Sequence, residues 1–189
     1  MTSHPNTGHL NTGRFSSSSI ALHWLMALLL VATAATIELK GIYLKGSAER
    51  ELLKTVHFML GASVFVLVWL RLLARISGTT PPITPPLPVW QAWFSHAVQW
   101  ALYALMVALP VLGWLILSAN GKPVTLLGGL QMPLLPISQS REAMLRFKEI
   151  HETAATLGYG LVALHSAAAL VHHYFQRDNT LLRMVPKRG

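Results

Sequence analysis

The sequence has no cysteine among its 189 residues and only seven acidic side chains. The first absence removes disulfides, iron–sulfur clusters, thiolate zinc sites and covalent c-type haem attachment, leaving histidine as the main soft metal ligand. Charge is scarce too: charged residues make up 12% of the chain against 52% hydrophobic ones, and the mean hydropathy is +0.46. These values exclude an ordinary water-soluble protein and place the chain in the membrane class, with room for one domain. Lys and Arg outnumber Asp and Glu by 15 to 7, a formal net charge of +8. The basic residues are scattered around hydrophobic spans, which fits lipid headgroups or a small anion and not nucleic acid.

Four stretches are long enough to cross a bilayer as helices, which needs about 20 residues. Phe15 to Ile37 is free of formal charge, and its length and His23 set it apart from a signal peptide, although Ala32-Thr33-Ala34 resembles a cleavage site. The second span covers about Leu52 to Leu73 and ends at Arg71 and Arg75. The proline-rich segment 77–89 makes a stiff connector. The third span covers about Trp93 to Ser118, with Pro110 inside predicting a kink and His96 at its entrance. A long loop follows over 119–147, whose second half, Ser138 to Phe147, is predicted as a short interfacial helix. The fourth span lies between Glu152 and Arg177, 24 residues without formal charge. The predicted fold is an all-α, four-transmembrane-helix up-down-up-down bundle over residues 15–177, preceded by a polar tail (1–14) and followed by a basic one (178–189). Six tryptophans, mostly at span ends, read as interfacial anchors.

Positive charge divides almost evenly, seven cations on the side of the termini and eight on the side of the first and third loops. Six of the seven acids lie on the loop side, so the net charge is +6 on the terminal side and +2 on the other. This places both termini in the cytoplasm and leaves a basic excess on the outer loops that needs a reason.

Histidines set into apolar spans are costly without partners and point to function. His151 and His165 are 14 residues apart, on one helical stripe and ~21 Å apart along the axis. By depth, His23 falls level with His165 near the terminal side, and His57 level with His151 near the outer side. Each pair joins two helices, as clamping a planar macrocycle requires, so two bis-histidine haems b follow, with Gly61 and Gly158 relieving crowding against them. The competing reading of each histidine alone is a satisfied core residue. A four-histidine zinc site fails on the distance between the pairs. His172, seven residues beyond His165, continues the stripe by ~10.5 Å and is placed to pass protons to a quinone. Headgroup contact is the plainer reading of His172 and His173, and His96 reads as interfacial. Arg14, Arg71 and Arg75 are candidates for the inner haem's propionates and Lys54, Arg146 and Lys148 for the outer one's, or else contacts to headgroups.

The segments HWL (23–25), IHETAATLGY (150–159), LHSAAALVHHYF (164–175) and DNTLLRMVP (178–186) make the chain resemble the prokaryotic cytochrome b561 family from about Phe15 onward. The likeness is greatest to its superoxide oxidase members. Ile150 departs from the pattern, standing where a tryptophan is familiar. The resemblance implies an inner-membrane protein with two haems b, ligand positions at His23, His57, His151 and His165, superoxide as electron donor and ubiquinone as acceptor. Relatives also include electron carriers and cytochrome b subunits of dehydrogenases, so a redox partner protein is the alternative. A histidine-based metal transporter is a third possibility, which a haem spectrum separates from the others.

Overall fold

The computed structural model describes residues 13–126, 129 and 131–186. All but the last two residues of the expected N-terminal tail, together with Gly128, Lys187 and Arg188, lie outside the described residues. Four long helices follow one another: α1 (Ser17–Leu39), α2 (Ala48–Ser77), α3 (Val89–Asn120) and α4 (Arg141–Val171). Among the described residues there is no strand, only a single bridge between Thr125 and Gln131. All four helices are long and apolar enough to cross a membrane.

Serine side chains set three of the four starts. Ser16, Ser47 and Ser140 each accept a hydrogen bond from a backbone N–H three residues on, satisfying a donor that the first turn leaves free. Glu49 and Glu51 in the first turn of α2, and Glu142 in that of α4, complement the positive end of the helix dipole. At the end of α3, Gly121 takes φ 66°, where a Cβ is disfavoured, and the N–H groups of Gly121 and Lys122 return to the Ser118 and Leu117 carbonyls. Pro110 lies inside α3 without ending it.

The expected interfacial helix over Ser138 to Phe147 is not a separate element. Its residues from Arg141 onward are the first turns of α4 itself, because Ser140 caps the helix and nothing between Arg141 and His151 breaks it. With 31 residues, α4 is about 46 Å long, against ~30 Å of hydrocarbon. Its charged first turns therefore project beyond the membrane. At the other end the helix widens into a π-helical turn, His172–Gln176.

The helices do not pack evenly. α1 lies along α2, α2 meets α3, and α3 lies along α4. The buried cluster of Met26, Val64, Val68 and Tyr103 comes from α1, α2 and α3, while α4 contributes no buried residue. Leu28, Val31 and Val66 remain 60–68% exposed at mid-span, as apolar side chains facing lipid do. Lipid is as apolar as leucine, so interhelical contact here rests on close packing and polar links more than on hydrophobic burial.

Candidate functional site

Between α4 and the α1–α2 pair the backbones stay apart, and histidine side chains face each other across the gap. Toward the terminal end, the rings of His23 (α1) and His165 (α4) have centroids 6.3 Å apart, with planes at 66°. Toward the loop end, His57 (α2) and His151 (α4) lie 6.4 Å apart at 70°. A metal–imidazole bond of ~2.0–2.1 Å, with the nitrogen ~1.1 Å from the ring centre, puts two opposed ligands about 6.3 Å apart centre to centre. Among the described residues no three His, Cys, Asp or Glu side chains converge as a metal cage. Each pair thus presents two imidazoles and, among the described residues, no further ligand, a donor set that a metal-bearing macrocycle would complete.

The surroundings of the rings fit the same group. A Cβ on Gly61, one turn beyond His57 on the same face, would meet nothing within 4 Å. On α3, a Cβ added at Gly113 would stand 3.8 Å from His151 Cε1, an ordinary contact, so α3 passes beside that ring. Gly158 differs from expectation: a Cβ there would meet Leu105 at 3.6 Å, so a side chain of α3 closes over that position.

Outer contacts orient the rings differently at the two ends. His57 Nδ1 is 3.0 Å from the Thr33 carbonyl, which only accepts, so Nδ1 carries the proton and Nε2 is free to ligate. His151 Nδ1 is buried beside the Leu109 carbonyl without a hydrogen bond of good geometry. His23 Nδ1 is 2.9 Å from Arg71 Nη2, and a guanidinium only donates. Arg71 also lies over the Tyr103 ring at 5.9 Å, and Arg75 donates to Gln99 Oε1 at 2.9 Å. Among the described residues neither arginine has a carboxylate partner. The terminal end of the gap is thus cationic beside His23.

The loop end is cationic as well, but mixed. Lys40 feels the charges of Arg50, Glu152, Lys54 and Lys148. Arg50 is not a free charge: it donates to the Lys40 and Tyr43 carbonyls at 2.8 and 2.9 Å, closing the turn after α1. Lys54 and Lys148 pair with Glu51 and Glu152, and Arg146 with Glu142. Lys45 and Lys122 are exposed, as is His96 on α3.

His172 stands at the start of the π-helical turn, and its Nδ1 lies 2.5 Å from Asp178 Oδ2. Asp178 escaped notice in the sequence because it is the single acid in an otherwise basic tail. The pattern Asp-Asn-Thr, which favours a side chain turning back onto the backbone two residues on, was its signal. Thr180 N does bond Asp178 Oδ1, at 2.8 Å. The Tyr159–Glu38 hydrogen bond between α4 and α1, 3.3 Å, also had no signature in the sequence.

A family model described as prokaryotic cytochrome b561 matches residues 14–187. The chain is 41% identical over 175 residues to cytochrome b561 homolog 1 of Escherichia coli (strain K12), covering 93% of this chain and 98% of the relative. It is 33% identical over 177 residues to the probable superoxide oxidase CybB of Yersinia pestis, covering 93% and 97%. Cytochrome b561 homolog 2 of Escherichia coli is 28% identical over 181 residues, 92% of each chain.

Proposed function

The chain belongs to the prokaryotic cytochrome b561 family, membrane proteins that bind b-type haem, and on that premise we propose that it carries electrons from superoxide at the outer face of a bacterial inner membrane to ubiquinone. The observation that carries this reading is the pair of opposed imidazoles at each end of one gap, 6.3 and 6.4 Å apart. In this reading His23 and His165 hold an inner haem b and His57 and His151 an outer one. When bound, the haems supply two one-electron stores, which suits a one-electron donor and a two-electron acceptor. Both termini lie in the cytoplasm.

The protein's own residues do the rest. Thr33 keeps the His57 proton on Nδ1 and so leaves Nε2 free as ligand. Arg71 and Arg75 place uncompensated positive charge beside the inner pair, suited to haem propionates. Exposed Lys45 and Lys122 draw a small anion toward the loop end. The relative from Yersinia pestis named as a probable superoxide oxidase supports the choice of donor.

One observation favours a second reading. The relative at 41% identity bears only a cytochrome b561 name, which fits a carrier for a partner dehydrogenase as well. Stopped-flow mixing of the purified protein with superoxide, with and without a soluble ubiquinone, separates the two. Haem reduction by superoxide followed by reoxidation on adding quinone is the expected result. Haems that superoxide leaves oxidised, but that a dehydrogenase reduces, would establish the carrier.

A further inference from the structure

The segment after α4 does not trail away. Arg177 takes a left-handed conformation, φ 54°, which costs a non-glycine residue about 1 kcal/mol or more. That turn lets the N–H groups of Arg177 and Asp178 both return to the His172 carbonyl. The chain then runs back over the terminal end of the bundle. Asn179 exchanges hydrogen bonds with Thr84 and donates to the Pro82 carbonyl, and Arg183 donates to the Pro81 carbonyl and lies 5.5 Å over the Phe15 ring. Phe15 N bonds the Arg183 carbonyl and Trp24, next to His23, donates to the Met184 carbonyl at 2.8 Å. Residues 178–186 are a strap joining α4, the proline-rich connector and the start of α1.

Under this strap Asp178 is 4% exposed, and its carboxylate holds one nitrogen of His172. A buried carboxylate is expensive unless its oxygens are satisfied. Both are, Oδ2 by His172 and Oδ1 by Thr180 N. Burial by itself raises the Asp178 pKa, but the His172 and Thr180 hydrogen bonds overcome it and hold the group below its ordinary 3.8. Asp178 is therefore ionised and can only accept, which puts the His172 proton on Nδ1 and leaves Nε2 as the working edge.

We propose that Asp178 is the positioning residue of a His172–Asp178 proton relay serving quinone reduction at the terminal end of the bundle. This rests on the quinone-reducing reading above. Two superoxide ions give up one electron each and leave as dioxygen. The quinone gains those two electrons and two protons, one at each carbonyl oxygen. His172 donates one proton from Nε2 to one quinone oxygen and recovers a proton from the aqueous side, while water at the same interface supplies the second proton to the other oxygen. Asp178 stabilises the charged imidazole and, by holding Nδ1, leaves Nε2 for the exchange. The charged groups near the dyad are Arg183 on the strap, which feels both Asp178 and Arg75 at the end of α2, and Arg177, next to Asp178 in sequence. The connector over 78–88 carries no charge.

The test uses the full-length haem-loaded protein in lipid nanodiscs, reduced chemically and mixed with a short-chain ubiquinone from pH 5.5 to 9. The expected wild-type reoxidation rate falls as pH rises through a single midpoint. Asp178→Asn removes the charge but keeps a hydrogen-bonding side chain of the same size. It should retain both haem spectra, lower the midpoint by about one unit or more, and slow reoxidation at pH 8 and saturating quinone about tenfold. An unchanged midpoint in Asp178→Asn, with His172→Ala slow, would overturn the relay and leave the quinone site standing. Wild-type rates in both variants would overturn the relay and the quinone reading of this end together. A second measurement needs no folding-sensitive variant: ¹⁵N NMR of histidine-labelled wild-type protein should show the His172 proton on Nδ1 across the titration. A neutral form protonated on Nε2 would refute the proposal.

Discussion

The two histidine pairs share a ring separation but not an environment. At the loop end, His57 is held by the Thr33 carbonyl, and the nearby lysines are largely matched by Glu51 and Glu152. At the terminal end, His23 faces the Arg71 guanidinium, and among the described residues no carboxylate answers Arg71 or Arg75. The same clamp is thus set in an ordinary hydrogen-bonded frame at one end and in uncompensated positive charge at the other. Ring geometry suits one kind of cofactor at both ends, and the charges around it differentiate the two. A guanidinium donating to Nδ1 also opposes the tautomer that ligates through Nε2. Haem binding at the inner pair is therefore expected to turn Arg71 away from His23, and a propionate is the natural partner for it.

The largest expected effect breaks the comparison outright. Wild-type protein should give about two haems per chain by pyridine haemochromogen assay, and His57→Ala or His23→Ala about one. Losing the haem held with His165 from His57→Ala would disprove the pairing, although the ligands would stand. Gly61→Phe sharpens the same contrast without touching a ligand: it should fill the space one turn from His57 and remove the outer haem alone.

Arg71→Gln should lower the reduction potential of the inner haem, on the order of tens of millivolts, because a positive charge disfavours the oxidised iron. The outer haem should not move. A redox titration followed by absorption spectroscopy reads both, and equal shifts would show that the two ends are not electrostatically distinct.

Lys45→Glu with Lys122→Glu should slow association with superoxide a few-fold at low salt and flatten its ionic-strength dependence, while haem content stays intact. An unchanged rate at low salt would remove the steering role. Arg50 does not belong with these two, because reversing it would open the turn that its hydrogen bonds to Lys40 and Tyr43 close.

The smallest effect is on the strap. A carboxylate with a depressed folded pKa contributes stability that is fully present above its unfolded value and is lost as pH falls through the folded one. For Asp178 the unfolded value is near 3.8. Strap docking, followed by the fluorescence of Trp24 against Met184, should weaken as pH falls below about 3.8. Asp178→Asn should remove that acid transition.

How much of this was legible depends on the range of the interaction. The four spans and the depth of each histidine follow from hydropathy and the 3.6-residue period, which are properties of neighbouring residues. The projecting turns of α4 were mistaken for a separate helix because charged residues at a membrane surface look alike whether or not the helix continues. Arg71 could be placed at the end of a span but not against His23, 48 residues away. Asp178 was lost in a basic tail because its significance comes from a chain reversal at Arg177 and from a connector about 95 residues earlier. Local pattern determined by itself that this is a four-span bundle with histidines at two depths, since a helix in lipid must satisfy its own backbone and hide its polar side chains. Only the tertiary structure decided which donor or acceptor meets each imidazole. Hydrogen-bond roles are set by atoms a few ångströms apart in space, however distant they are along the chain.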